Sequence, residues 1–230
     1  MIRFKSAAIA ALLLASCRDG TPARAPQDAK PELFLLTSLP LIWGEEFGLA
    51  SQGSAALDAL QDQYRVTAID LPGQLPKGAL LLAAQPRALP ASELVEMDDW
   101  VRAGGRLVLL ADPMLEWPSE LPLGDPRRPP LAFADTGLLG HWGLRLDKPV
   151  QRGAATASLG GQRVLVASPG TLVAKDPGCT ISDGGLAARC RIGSGRAIVI
   201  ADADFLNLGS DPQDDGNLAA LLSELRLLSR

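Results

Sequence analysis

Three aspartates stand where apolar runs give way to polar residues: Asp112 after Arg106–Ala111 (RLVLLA), and Asp202 and Asp204 after Ala197–Ile200 (AIVI) and Ala201. Carboxylates gathered at strand ends can supply the hard oxygen ligands that Mg²⁺ or Ca²⁺ requires. Asp211, Asp214 and Asp215 follow closely in the chain. The chemistry such a cluster suggests is metal-assisted hydrolysis. The competing reading is structural. Aspartate side chains accept hydrogen bonds from loop amides, and Asn217 opens an apolar-faced helix where such residues serve as caps. Acids near a helix start also suit its dipole with no ligand present. We favour the structural reading and assign no metal. Asp202 and Asp204 are two apart, so both point to one side if the strand persists through them.

Nucleophilic catalysis finds little footing. A Ser or Cys nucleophile needs a sharp strand-to-helix turn with a histidine in reach. The one histidine, His141, sits beside Trp142 in an expected short helix, and a structural role is expected for it. No G-x-S-x-G or G-x-C-x-G follows a strand, and the fourth strand, where an elbow would sit, ends in Ala111-Asp112-Pro113-Met114. Gly193-Ser194-Gly195 precedes a strand instead of opening a helix, so it is not a dinucleotide fingerprint. No catalytic residue and no cofactor is assigned.

The elements that would position these groups alternate. Apolar runs at Glu32–Ile42, Arg65–Ile69, Ala79–Ala84, Arg106–Ala111 and Arg196–Ala201 read as core strands, and Ala55–Tyr64, Ser92–Ala103 and Asn217–Leu228 as helices. Such alternation implies βαβ units and a largely parallel sheet with helices on both faces. Met114–Pro130 is a Pro-rich excursion, and Asp135–Trp142 reads as a short helix. Ala154–Ile192 breaks into short strands and turns, a small antiparallel section. Ligands of open α/β sheets bind where strands end and loops begin, so the strand-end acids mark the expected address of any site.

Cys179 and Cys190 flank Ser182-Asp183-Gly184-Gly185, a hairpin signal that would set them opposite one another. We favour a disulfide, as export would allow, over two free thiols or a metal site. Export is the expectation from the N-terminus. Arg3 and Lys5 precede the apolar stretch Ala7–Ala15, which is too short to span a bilayer, and Leu14-Ala15-Ser16-Cys17 resembles a bacterial lipobox. The expected organisation is a leader over 1–16, a lipidated Cys17 with a flexible tether over 17–31, and a folded domain over 32–230. That places the domain on the periplasmic side of the bacterial envelope, anchored to the inner or outer membrane. Removing the leader takes the formal charge from −4 to −6 by loss of Arg3 and Lys5. An acidic chain without basic clusters in sequence argues against nucleic acid as a partner.

Three motifs together resemble one family. They are Thr37-Ser38-Leu39-Pro40 after the first strand, Trp100–Pro113 (WVRAGGRLVLLADP), and Gly195–Phe205 (GRAIVIADADF) followed by Asn217. Their order is similar to that in the periplasmic domain of gliding-motility-type ABC-transporter auxiliary proteins. The resemblance implies a flavodoxin-like, class I glutamine amidotransferase-like fold without the catalytic Cys, over roughly Leu33 to Leu228. It also implies Ser38, Asp112, Asp202, Asp204 and Asn217 as ligand-binding positions, with an ABC transporter subunit or an envelope glycan as partner. This chain differs from longer members, which carry transmembrane helices. The expected role is a non-catalytic accessory lipoprotein. The alternatives are a metal-assisted hydrolase using Asp112, Asp202 and Asp204, and an envelope scaffold that makes contact through Met114–Pro130.

Overall fold

The computed structural model describes residues 30–44, 53–208 and 216–229. The expected leader, Cys17 and the tether up to residue 29 lie outside the described residues, as do Glu45, Glu46, Asp211, Asp214 and Asp215. In chain order the elements begin with β1 (Glu32–Thr37), α1 (Ala55–Gln63), β2 (Arg65–Ala68), β3 (Leu80–Ala84), α2 (Ala91–Arg102) and β4 (Arg106–Leu110). They continue with α3 (Leu138–His141), β5 (Leu144–Asp147), β6 (Ala154–Leu159), β7 (Gln162–Ala167), β8 (Thr171–Ala174) and β9 (Cys179–Ser182). The chain closes with β10 (Ala187–Ile192), β11 (Gly195–Ile200) and α4 (Gly216–Ser229).

The fold is mixed α/β around a mostly parallel seven-stranded sheet of order β2-β1-β3-β4-β11-β10-β9. The first five strands are parallel, and β10 and β9 add on antiparallel. Strands β3, β4 and β11 are buried on both faces, as their continuous apolar runs require. One face carries Leu33, Leu82, Val108 and Ile198 and is covered by Leu60 of α1, Leu221 and Leu225 of α4, and Val166 of β7. The other carries Leu81, Leu107 and Val199 under Met97 and Val101 of α2, Leu139 of α3 and Leu172 of β8. Each such side chain contributes about 1.5–3 kcal/mol on leaving water.

Local signals set the helix limits. The Ser54 hydroxyl accepts from the Leu57 amide at 3.1 Å and starts α1. Gly104, at φ 110°, takes the left-handed conformation that ends α2. The first core run is shorter than its apolar length suggests. Beyond Thr37 the Leu39 amide turns back to the Thr37 hydroxyl at 2.9 Å, and that hydroxyl donates to Ala84 O at 2.9 Å, so the chain leaves the sheet before Pro40.

The antiparallel section is not one piece. β6 and β7 form a separate hairpin, β8 pairs with β5, and β9 and β10 extend the main sheet. Cys179 and Cys190 are cross-strand partners and form a disulfide. Four residues, Asp183 to Leu186, connect those strands, with Asp183, Gly184 and Gly185 all at positive φ. Among the described residues no helix is long and apolar enough to cross a membrane.

Candidate functional site

β1, β3, β4 and β11 all end at the same edge of the sheet, and that edge gathers the polar residues singled out in the sequence. Among the described residues, Gln85, Asp112, Ser168, Asp202, Asp204, Asn217 and Glu224 are the buried polar ones. All but Glu224 belong to this edge.

The groups are joined from strand to strand. Ser38, just past β1, donates its hydroxyl to Gln85 O, just past β3. The Gln85 amide then grips the chain after β4 at both ends. Its Oε1 accepts from Asp112 N at 2.9 Å and its Nε2 donates to Asp112 O at 3.1 Å. The Asp112 carboxylate accepts from Met114 N through Oδ1 and from Ala203 N through Oδ2, each at 2.8 Å, and so ties β4 to β11. Asp202 accepts from Phe205 N at 2.8 Å and from Ala167 N at 3.0 Å, which fixes the end of β7 against β11. Asn217 accepts from Leu165 N at 2.7 Å and donates to Leu165 O, Phe205 O and Leu208 O at 2.8–2.9 Å.

Two expectations change here. β11 stops at Ile200, and a short 3-10 turn at Asp204–Leu206 follows, so Asp202 and Asp204 do not share one side. The Asp202 carboxylate accepts from Phe205 N inside that turn and so curls the chain. Asp204 instead reaches the excursion after β4, accepting from Glu116 N at 2.7 Å. Asn217 lies inside the first turn of α4, and its side chain serves β7 and the post-β11 loop rather than its own helix start.

A strained backbone position follows β3, where Gln85 holds φ 45°, with residues 85–90 between the strand and α2. No helix opens directly at that residue, as a nucleophile elbow requires, and its side chain is a fully buried amide consumed by Asp112. The sequence reading missed Gln85, Glu116 and Ser168. Ser168 is buried at φ 49° and donates its hydroxyl to Glu116 Oε1 while accepting from Gly153 N at 2.8 Å. Its only sequence signal is the switch from Val164-Leu165-Val166-Ala167 to a polar residue, the same signal that marks Asp202.

His141 ends α3 on the surface, with Nε2 3.4 Å from Asp98. Asp98 also accepts from Arg102 at 2.7 Å and Trp142 Nε1 at 2.7 Å, so this trio knits α2 to α3 far from the strand-end acids. Among the described residues no group of three or more His, Cys, Asp or Glu is arranged to hold a metal ion.

Three carboxylates in one buried edge repel one another and lack water. Burial raises Asp112 to about 6 and Asp204 to about 7, and drives Asp202 well above the usual carboxylate range with added repulsion from Asp112. The backbone amides they accept from oppose this only in part. An aspartate that titrates near ~4 unfolded and higher when folded takes up its proton first in the folded state. Its stabilisation is complete below the unfolded value and is lost as pH rises through the folded one. The midpoint of urea unfolding is therefore expected to rise as pH falls from 8 to 5, by about 2–4 kcal/mol in stability. Carboxylates held low by cations, such as Asp125, act only at more acid pH. A midpoint that is flat or falls over that window would contradict the burial and repulsion that raise these groups.

A family model described as a domain of unknown function (DUF4350) matches residues 50–225. No curated protein matches the chain. Among solved structures, exo-β-1,4-mannosidase Op5Man5 from Opitutaceae bacterium strain TAV5 aligns over 86% of this chain and 36% of its own, at 15% identity and TM-score 0.54. The mmIFT52 N-terminal domain aligns over 86% and 97%, at 14% identity and TM-score 0.51. Cytoplasmic protein STM3548 from Salmonella typhimurium aligns over 86% and 98%, at 9% identity and TM-score 0.55. The chain thus spans about a third of the glycosidase's length and nearly all of the other two. At these identities the likeness is one of fold.

Proposed function

Because this chain belongs to the family described as a domain of unknown function (DUF4350), we propose its role from the site itself. The role is that of a non-catalytic accessory or ligand-binding lipoprotein of the bacterial envelope, held to the membrane through Cys17. The observation that carries this reading is Gln85. Among the described residues, the one non-glycine residue at positive φ between a strand and an α-helix is a buried amide that braces β4. Around it Asp112, Asp202 and Asn217 hold backbone groups, which leaves them structural work in place of turnover. The order β2-β1-β3-β4-β11 is the doubly wound order 2-1-3-4-5, and it supports the finer flavodoxin-like, amidotransferase-like assignment. An ABC transporter subunit or an envelope glycan is the proposed partner, and a domain of this fold inside larger glycosidases makes sugars the first ligands to test.

The test is a thermal-shift screen of the purified chain against cell-wall sugars, Ca²⁺ and Mg²⁺, beside an assay of ester and glycoside hydrolysis. A ligand that binds only the folded state raises its melting temperature. A sugar-dependent rise without turnover is the expected result. Hydrolysis that disappears in Asp204→Asn, or a metal-dependent rise lost in the same variant, would replace this reading with a metal-assisted hydrolase.

A further inference from the structure

The edge opposite the strand-end acids carries the other charge. Parallel strands bring their first residues to one edge, and several cations collect there. Arg65 opens β2, Arg106 opens β4, Arg196 lies at the start of β11, and Lys77 precedes β3. Arg106 and Arg196 are level across β4 and β11, and Arg196 is level with Arg191 of β10. Three arginines thus form a row across adjacent strands. Arg65, Lys77, Arg191 and Arg196 are exposed. Arg102 and Arg226, in the last turns of α2 and α4, end on the same side.

Part of this charge serves the fold. Arg106 donates to Gly78 O and Ser229 O, and Arg196 donates to Leu228 O at 3.0 Å, where cations suit the end of α4. Arg65 meets Glu32 at 3.3 Å in an exposed pair, and Lys77 and Arg191 are exposed along the edge. Glu32, Asp62, the Asp98–Arg102 pair, Asp99 and Asp176 bring carboxylates here, still fewer than the cations. In a chain of formal charge −4 a basic edge means a polarised molecule, one that an anionic surface would attract in one orientation.

The N-terminal segment leaves at the same edge. Arg65 N donates to Pro31 O at 2.8 Å and Lys30 Nζ donates to Gln61 O at 2.6 Å, so the chain enters β1 beside the start of β2. Thirteen residues separate Cys17 from Pro31, and a coil of that length reaches about 20 Å. An anchor at Cys17 would therefore hold this edge, where the chain enters, close to the bilayer. From the charge and the point of chain entry we infer that the N-terminal edge of the main sheet is a docking face for an anionic phospholipid surface. The inference rests on the lipid-anchor reading for its geometry, but the charge row stands without it. Juxtamembrane cations gain from the surface potential of anionic lipid only within about a Debye length, a range that a tether of about 20 Å lets this edge enter.

The experiment compares the full chain with Arg65→Glu/Lys77→Glu/Arg191→Glu in co-sedimentation with vesicles of phosphatidylcholine alone or with phosphatidylglycerol added. Arg87 follows β3, Lys148 follows β5 and Arg152 precedes β6, all exposed near the strand-end acids, so a second triple variant, Arg87→Glu/Lys148→Glu/Arg152→Glu, makes the same charge change at the opposite edge. Any contribution of the apolar N-terminal stretch is common to all three chains. The parent is expected to bind the anionic vesicles tenfold or more tightly than the neutral ones, and raising NaCl should erase the difference. The first variant should lose the preference and the second keep it, with all three melting alike. Equal binding to both vesicles, or equal loss in both variants, overturns the docking face. If the first variant melts early, Lys77→Glu/Arg191→Glu replaces it. Mass spectrometry of Cys17 from the membrane fraction separates the two readings. An unmodified Cys17 with an intact charge preference sinks the anchor alone, and a lipidated Cys17 without the preference sinks the docking face alone.

Discussion

Asn217→Ala is expected to unfold about 10 °C below the parent, with secondary structure otherwise unchanged at low temperature. The side chain is buried, and its amide closes four hydrogen bonds between three segments: β7, the loop after β11, and its own helix. Alanine leaves Leu165 N and the Phe205 carbonyl without that partner in a site poorly reached by water. Each orphaned buried group costs about 1–3 kcal/mol, so a loss of about 3–5 kcal/mol follows. For a chain of this size each kcal/mol lowers the midpoint by about 2–4 °C. Asn217→Asp gives little rescue, because it restores the acceptor for Leu165 N but sets a carboxylate against the carbonyls that the amide served. The measurement also separates two roles. A residue kept to touch a ligand would be replaceable at little structural cost, whereas a brace would not. A melting temperature within 2–3 °C of the parent would return Asn217 to the list of free ligand-binding groups.

How much of this was legible in the sequence depends on whether a signal was local. The strands β3, β4 and β11 were readable because each is an uninterrupted apolar run that ends in an abrupt polar switch. The switches after β4 and β11 set Asp112 and Asp202 at one edge, since parallel strands must end together, whereas Ser38 came only with the family resemblance. The roles of the side chains were not readable in the same way. Asp202 and Asp204 diverge because the Asp202 carboxylate captures Phe205 N three residues on, a choice that period-two counting cannot foresee. Gln85 looked like any loop residue after a strand, and only its contact with Asp112, 27 positions away, gives it meaning. Glu116 meets Ser168 across 52 positions, and the pairing of β5 with β8 joins residues 24 to 30 positions apart. The Cys179–Cys190 bond was readable because its partners flank one local turn. The basic edge stayed hidden for the opposite reason. Arg65, Lys77, Arg106, Arg191 and Arg196 are scattered along the chain and become neighbours only when the sheet assembles.

Gly195→Ala is expected to destabilise the fold by about 3–5 kcal/mol and to act through backbone contact alone. Gly195 opens β11 directly against the end of α2. A β-carbon there would lie 1.9 Å from Val101 O and 2.5 Å from Gly105 O, both main-chain atoms that cannot rotate away. Relief requires α2 and the turn after it to move off the sheet. That movement would strain Ser194 N to Arg102 O at 2.9 Å and Arg196 N to Gly105 O at 3.1 Å, which now hold the two elements together. It would also lift Met97 and Val101 from Leu107 and Val199 in the core below. Gly104→Ala, one turn away, meets no atom within 4 Å but loses a left-handed φ of 110°. Its cost should therefore be smaller, near 1 kcal/mol. Denaturant midpoints of the two variants, measured side by side, test whether close approach or backbone conformation governs this junction. If Gly104→Ala proves the worse of the two, the tight contact between β11 and α2 is not what positions the strand that carries Asp202 to the opposite edge.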